Sequence, residues 1–254
     1  MKNAHLYIDC QLDSHECESY CTFLQEFTQC QTEACLFSAL IENESTQQRL
    51  ARKFAEIRIT QLGSQEPDDT VFPIEIEYEK KHLMNPDKPS QCFYNGLEFQ
   101  YILRQEWSSL FEQTATLRIL LTDKKLMTWE NDSRYHLRTI ILGYPSIISR
   151  IGIVEAPAKP KEYYLLKHMG TLQEQHAWLS ENRHRFLELG DPRMKEVMKG
   201  YLLQCYCYWA HLSNDFCKDP GCALFNSHWQ EEVLNAQFYH RLCEKHQLDK
   251  KSLS

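Results

Sequence analysis

The sequence predicts a mixed α/β fold. Short apolar runs typical of buried strands, such as Leu117–Leu121, alternate along the chain with segments such as Ser14–Phe27, whose apolar residues recur at helical spacing. The chain has 254 residues, of which 43% are hydrophobic and 25% charged, with only 8 glycines and 9 prolines. This is the composition of a globular protein, and it excludes the disordered and fibrous classes.

The first part of the chain predicts alternating strands and helices. His5–Cys10 alternates apolar and polar residues as a strand does, and Ser14–Phe27 follows it as a helix. A second helix is predicted over Ser45–Ile57. Alternation within Ile74–Tyr78 then predicts another strand.

The middle of the chain predicts one helix followed by three strands. Leu97–Phe111 has apolar residues at a spacing near 3.6, which predicts a helix. The predicted strands are the short apolar runs Leu117–Leu121, Leu137–Leu142 and Ile147–Val154. Ala156–Lys161 contains two prolines and is predicted to be a stiff, extended linker.

The remainder of the chain predicts helices. Leu172–Phe186 is the first, and the second runs from Asp191, which can cap its start, to about His211. The last predicted helix covers His228–His246.

Charge and hydropathy exclude several function classes. The net charge of −7 would repel a phosphate backbone, so we expect no nucleic-acid partner. No segment approaches 18 uninterrupted apolar residues and the start resembles no export signal, so we expect a cytoplasmic protein with no membrane partner. The chain also lacks a glycine-rich phosphate loop and a Gly-x-Ser-x-Gly elbow. The sequence does not indicate the oligomeric state.

The strongest constellation of chemical groups lies near the C-terminal end. Cys217 and Cys222 bracket a Pro-Gly turn, and Cys243 precedes His246 by three residues, giving a Cys-x4-Cys and Cys-x2-His pattern. Structural zinc takes four such ligands in a tetrahedron, in two pairs. We therefore predict a structural Zn²⁺ site formed by these four residues. His228 is a competing ligand if the helix predicted to carry it starts beside the turn.

A metal-free alternative remains open at this stage. The chain has 11 cysteines, and free cysteine is often a small buried core residue. Cys217 and Cys222 would then be buried thiols, and His246 a solvated residue at a helix end. In that case the protein would be an interaction protein with no metal.

The C-terminal stretch resembles the archaemetzincins, a family of zinc metallopeptidases. The resemblance is carried by Phe216–Ser227 and by Cys243–His246. That family has a His-Glu-x-x-His-x-x-Gly-x-x-His motif running into Cys-x4-Cys and a later Cys-x2-Cys. Gly152–Lys159 and Phe225–Glu232 are more closely similar to an uncharacterised prokaryotic family of predicted metallopeptidases. The resemblance begins at about Leu117.

The resemblance implies a domain division and a fold. It implies an α/β N-terminal region over residues 1–115 and an archaemetzincin-like domain over residues 116–254. The second domain would have a metzincin-like mixed sheet with helices, ending in a segment held by the Cys₃His zinc site.

When the archaemetzincin motif is placed on this chain, none of its catalytic residues is present at the corresponding positions. Counted back from the first cysteine of the pair, the three metal-binding histidines fall on Tyr206, Ala210 and Phe216, and the general base falls on Cys207. If the motif is placed with a one-residue gap, His211 is the only histidine that falls on a ligand position. Catalytic zinc needs three protein ligands, an open position for water and a nearby base. The sequence thus predicts a degenerate peptidase site.

Two functions follow from these observations. The leading prediction is a non-catalytic protein with a structural zinc, which binds a peptide or protein partner. The alternative is a metal-dependent hydrolase with a non-standard site built from His136, Glu155 and His211. His136 and Glu155 flank predicted strands, where sites are often formed, but a set of surface ion pairs and turn residues is the favoured explanation of them.

Overall fold

The computed structural model describes residues 3–64, 70–85, 90–111, 115–210 and 216–251, with side chains up to residue 247. The chain forms two compact units, Met1–Gly152 and Ile153–Ser254. The predicted boundary between residues 115 and 116 falls inside the first unit, because the strand that begins at Thr116 pairs with the strand that begins at Asn3.

The first unit contains nine strands and five complete helices in its described residues, and a sixth helix crosses into the second unit. In chain order they are β1 (Asn3–Asp9), α1 (Ser14–Thr28), β2 (Gln31–Leu36), α2 (Glu44–Glu56), β3 (Arg58–Ile59), α3 (Pro73–Leu83), β4 (Phe93–Asn95), α4 (Gly96–Glu106), α5 (Ser108–Phe111), β5 (Thr116–Thr122), β6 (Lys125–Trp129), β7 (Tyr135–Leu137), β8 (Ile140–Ile141), β9 (Ser146–Ser149) and α6 (Arg150–Glu155). The predicted mixed α/β fold is confirmed.

Two sheets organise the first unit. The larger sheet has the order β2-β1-β5-β9-β8, in which β8 alone is antiparallel, and the smaller has the order β3-β4-β6-β7. β5 is central and almost wholly buried, as the continuous apolar run predicts for a parallel strand. A cluster of buried aromatic and aliphatic side chains covers this sheet, including Phe37, Phe54, Phe99 and Leu120.

Two predicted strands of the first unit are partly or wholly helical. The segment predicted as a strand from its alternation at Ile74–Tyr78 lies in α3, because Pro73 occupies the first turn and the Glu75 carboxylate accepts the N–H of Phe72 at 2.8 Å. The predicted strand Ile147–Val154 ends at Ser149. The Ser149 hydroxyl there accepts the N–H of Gly152 at 2.9 Å, which starts α6.

The second unit is mainly helical. Its complete helices are α7 (Lys161–Met169), α8 (Leu172–Asn182), α9 (Met194–Trp209), α10 (Gln230–Ala236) and α11 (Glu244–Lys251). α9 is the most buried of them, and α7 and α8 have no buried residue. No helix in the described part of the chain has both the length and the apolar character needed to cross a bilayer.

Candidate metal centre

Four side chains of the second unit converge on one point. The ligand atoms of Cys217, Cys222, Cys243 and His246 all lie within 4.8 Å of one another. The sulfur atoms of Cys217 and Cys243 are 3.8 Å apart, and His246 Nδ1 lies 3.6 Å from the sulfur of Cys222. A tetrahedral centre with metal–sulfur bonds of about 2.3 Å has sulfur–sulfur edges of about 3.8 Å. The cluster therefore has the dimensions of a four-coordinate metal site.

A tight turn presents the first pair of ligands. Asp219 Oδ1 accepts the N–H of Gly221 at 2.9 Å, and the Asp219 carbonyl accepts the N–H of Cys222 at 3.1 Å. The N–H of Asp219 points to the sulfur of Cys217 at 3.4 Å, and the N–H of Cys217 donates to the Leu224 carbonyl at 2.8 Å. These local bonds close the turn and hold both sulfurs on the same side.

The second pair of ligands lies at the start of a helix, which corrects the predicted single helix over His228–His246. α10 ends at Ala236, a turn with His240 at φ 40° follows, and α11 begins only after Cys243. The Cys243 carbonyl accepts the N–H of Gln247, which places His246 in the first turn of α11. Tertiary contacts hold this turn: the N–H of Ala223 donates to the Arg241 carbonyl at 2.7 Å, and His240 Nε2 lies 3.0 Å from Glu196 Oε2.

Two buried glutamines hold the segment that carries Cys222. Gln204 of α9 donates from Nε2 to the Ala223 carbonyl at 2.6 Å, and Gln237 donates from Nε2 to the Phe225 carbonyl at 3.0 Å. Sequence reasoning missed both residues. A polar residue such as Gln204 in the apolar helix α9 was the available signal, because buried amides need partners.

We expect Gln237→Leu to lower the free energy of unfolding by about 1–3 kcal/mol. Gln237 is fully buried, and the substitution removes one of the two donors to the Phe225 carbonyl, the other being Gln204 Nε2 at 3.3 Å. It also removes the acceptor of the Ser227 hydroxyl, which donates to Gln237 Oε1 at 2.9 Å. Urea unfolding measures the change. Gln173→Leu, at an exposed position of α8, is the matched control and should change stability by less than about 0.5 kcal/mol.

Burial opposes ionisation of the innermost thiol. It raises the pKa of Cys222 to about 12, and the neighbouring Cys217 and Cys243 add to the rise, against backbone hydrogen bonds from Cys243 and Leu224 that lower it. A thiol coordinated to a divalent metal is deprotonated because the metal charge stabilises the thiolate. Three thiols and an imidazole without hard oxygen ligands form the donor set that Zn²⁺ prefers.

The competing ligand His228 is not a member of the described cluster. Its Nε2 lies 3.4 Å from the amide nitrogen of Asn226, and its backbone N–H donates to Glu232 Oε2 at 2.7 Å. The backbone of His228 is therefore held at the start of α10 by its hydrogen bond to Glu232.

A family model described as "Probable metallopeptidase family (DUF6775)" matches residues 1–253. The chain belongs to this family. This confirms the resemblance to a metallopeptidase family and extends it from the second half of the sequence to almost the whole chain. No curated protein matches the sequence.

Two solved structures are similar to this metallopeptidase-family chain at low identity. One is the zinc-dependent peptidase from Methanocorpusculum labreanum (strain Z), with 12% identity, a TM-score of 0.45 and coverage of 97% of this chain and 99% of that one. The other is archaemetzincin from Methanopyrus kandleri, with 10% identity, a TM-score of 0.49 and coverage of 99% of this chain and 95% of that one.

The positions onto which the archaemetzincin motif was carried do not form a metal-ligand cluster in the described residues. Tyr206 and Cys207 are buried in α9, Ala210 directly follows that helix, and Phe216 is 44% exposed beside the turn. His211 lies outside the described residues. Among the described residues, the Cys₃His group is the one set of three or more ligating side chains with metal-binding dimensions.

The other candidate acid–base residues are found on the surface. His136 is on β7, and its Nε2 lies 3.0 Å from Asp132 Oδ2 in an exposed pair. Glu155 is an exposed residue at the end of α6, in the second unit, whereas His136 belongs to the first. Neither belongs to the described metal-ligand group.

Proposed function

We propose that this metallopeptidase-family protein is a non-catalytic binding protein whose C-terminal segment is held folded by a structural Zn²⁺. The observation that carries the proposal is the complete set of four protein ligands, Cys217, Cys222, Cys243 and His246. Structural zinc sites are closed by four protein ligands, whereas catalytic sites keep one position open for water. Zinc bound here supplies folding energy and leaves no position for hydrolytic chemistry.

The composition of α9 supports the non-catalytic part of the proposal. Hydrolysis by zinc needs a base close to the metal-bound water. The position that corresponds to the general base of the archaemetzincin motif is Cys207, which is 1% exposed in this apolar helix. A thiol enclosed by apolar side chains does not replace a carboxylate that takes a proton from metal-bound water.

Exposed apolar side chains of the second unit support a binding role. Leu165 and Met169 of α7 are 60% and 85% exposed, and Leu172 at the start of α8 is 74% exposed. Leu165 and Met169 are four residues apart and therefore share one side of α7, and exposed apolar surface often marks an interaction site. The partner we propose is a peptide or protein.

We propose a reducing compartment, as in the cytoplasm, on the evidence of the cysteines. None of the 11 forms a disulfide bond, and Cys35 is exposed. Exposed and half-buried thiols persist where glutathione and thioredoxin keep them reduced.

Metal stoichiometry and peptidase activity test the proposal together. We expect elemental analysis to find one zinc per chain in protein purified without added metal, because one closed site is formed. We also expect no cleavage of a mixed peptide library with or without added zinc.

Two zinc ions per chain, together with cleavage that Glu155→Gln or His211→Ala abolishes, would overturn the proposal in favour of the hydrolase. Glu181→Gln, at an exposed position of α8, is the control for a general effect of losing a carboxylate.

A further inference from the structure

A groove on the second unit brings together an aromatic ring and several carboxylates. Its volume is about 360 Å³, at the lower end of the range for ligand-binding clefts. Three segments line it: the start of α7, the 3₁₀ turn Arg183–Arg185 that follows α8, and the N-terminal end of α10. The lining residues are Pro160, Lys161, Glu162, Arg185, Trp229, Glu231 and Glu232. We call it the Trp229 groove.

The charge of the Trp229 groove favours a cation. Three glutamates and two basic residues line it, which leaves an excess of one negative charge. Arg185 donates from Nε to Glu231 Oε1 at 2.7 Å, and its Nη1 lies 3.9 Å from Glu162 Oε2. The side chains of Glu162 and Glu231 nevertheless remain 56% and 49% exposed, so both carboxylates keep open oxygens that can accept hydrogen bonds from a ligand.

The backbone around Trp229 is fixed before any ligand binds. Ala158 donates its N–H to the His228 carbonyl at 2.7 Å, and Gln230 donates its N–H back to the Ala158 carbonyl at 2.8 Å. The buried Gln230 side chain donates to the Ile153 carbonyl at 2.8 Å, and Glu232 Oε2 accepts the N–H of Trp229 at 3.0 Å. A preorganised site loses little conformational entropy on binding.

Trp229 supplies the flat apolar surface of the groove. The residue is 37% exposed, although tryptophan is highly buried on average, so part of it remains accessible to a ligand. Tryptophan is the best aromatic partner for a cation. Among biological cations the guanidinium group both stacks on aromatic rings and forms bidentate pairs with carboxylates, whereas an ammonium group is a compact, strongly hydrated charge.

We propose that the Trp229 groove binds an arginine side chain of a peptide or protein partner, with the guanidinium group stacked on Trp229 and paired with Glu162 and Glu231. This inference rests on the proposed binding function and names the chemistry of its partner. The groove lies on the same unit as the exposed apolar residues of α7, which would contact the rest of that partner.

Calorimetric titration with matched peptides tests the inference on the full-length, zinc-loaded protein. The probe is acetyl-Gly-Arg-Gly-amide, and its analogues carry citrulline or lysine in place of arginine. We expect the citrulline peptide, which keeps the shape and loses the charge, to bind at least about tenfold more weakly. The lysine peptide should bind several-fold more weakly than the arginine peptide.

Variants of the groove separate recognition from folding. Trp229→Ala should weaken binding of the arginine peptide by about tenfold, and Glu162→Gln by about threefold to tenfold. The control Glu181→Gln lies on the exposed surface of α8 outside the groove and should leave binding unchanged. Zinc content and melting temperature are measured for each variant, because a folded variant must retain both.

Several outcomes would overturn the inference. Equal affinity for the arginine and citrulline peptides would show that charge is not recognised, and equal affinity for lysine would overturn the assignment to arginine. Unchanged binding by a folded Trp229→Ala variant would place the peptide elsewhere. If no peptide binds while the protein holds one zinc and cleaves nothing, this inference fails and the zinc-stabilised, non-catalytic assignment stands.

Discussion

Cys222→Ser is expected to abolish zinc binding and to unfold the C-terminal segment of the second unit. Cys222 is fully buried, and its sulfur lies 3.6 Å from His246 Nδ1. A hydroxyl is a poor zinc ligand, and three remaining ligands cannot close the site. Structural zinc contributes about 10–16 kcal/mol of apparent binding free energy in zinc-finger peptides, so we expect its loss to exceed the effect of any surface substitution. Elemental analysis and limited proteolysis measure the two effects.

Two further variants make this prediction specific. Cys35→Ser removes an exposed thiol of β2, outside the cluster, and should leave zinc content and protease resistance unchanged. His246→Cys should retain zinc, because four cysteines also form structural sites. A Cys222→Ser protein that keeps its zinc and its resistance to proteolysis would contradict the predicted site.

Lys124→Met is expected to lower the free energy of unfolding of the first unit by about 3–5 kcal/mol. Lys124 Nζ lies 2.6 Å from Asp9 Oδ2, and the two side chains are only 5% and 3% exposed. The Thr122 hydroxyl also donates to Asp9 Oδ2, at 2.7 Å. Without the ammonium group, the buried carboxylate has lost its opposite charge, and its desolvation is no longer offset. Urea unfolding followed by circular dichroism measures the loss.

The double variant Asp9→Leu with Lys124→Met separates the cost of an unpaired charge from the net contribution of the pair. Replacing a whole buried pair with apolar residues is often neutral or stabilising, so the double variant should recover most of the stability lost in the single one. Lys81→Met, at an exposed position of α3, is the control for the substitution itself and should have an effect within about 0.5 kcal/mol. Equal losses in the single and double variants would contradict this explanation.

The cluster of four candidate metal ligands shows how far residue spacing alone can predict a site. Cys217 and Cys222 were predicted as one pair from the Pro-Gly turn between them, and Cys243 with His246 as the other. The structure brings all four ligand atoms together, but Cys243 precedes α11 and does not lie within a helix. The predicted spacing survives the error in the helix boundary because the Cys243 carbonyl accepts the N–H of Gln247, so Cys243 caps α11 and stays one turn from His246.

The sequence by itself determined the mixed α/β class, the absence of the archaemetzincin His-Glu-x-x-His motif and the pairing of the four candidate ligands. Each of these depends on residue types and on short separations along the chain. The strand predicted from the alternation of Ile74 with Ile76 was wrong. Both residues lie in α3, where Ile74 is 75% exposed. Alternation over five residues cannot distinguish a strand from a helix whose other face packs on a core.

Only the tertiary structure decided where distant residues meet. The burial of Lys124 against Asp9 depends on the pairing of β5 with β1, across more than a hundred residues of sequence. The hydrogen bonds from Gln204 and Gln237 to the segment that carries Cys222, and the groove formed around Trp229, likewise join elements that are separated along the chain. Hydrogen bonds and charge pairs of this kind follow from packing, and no local pattern of residues encodes them.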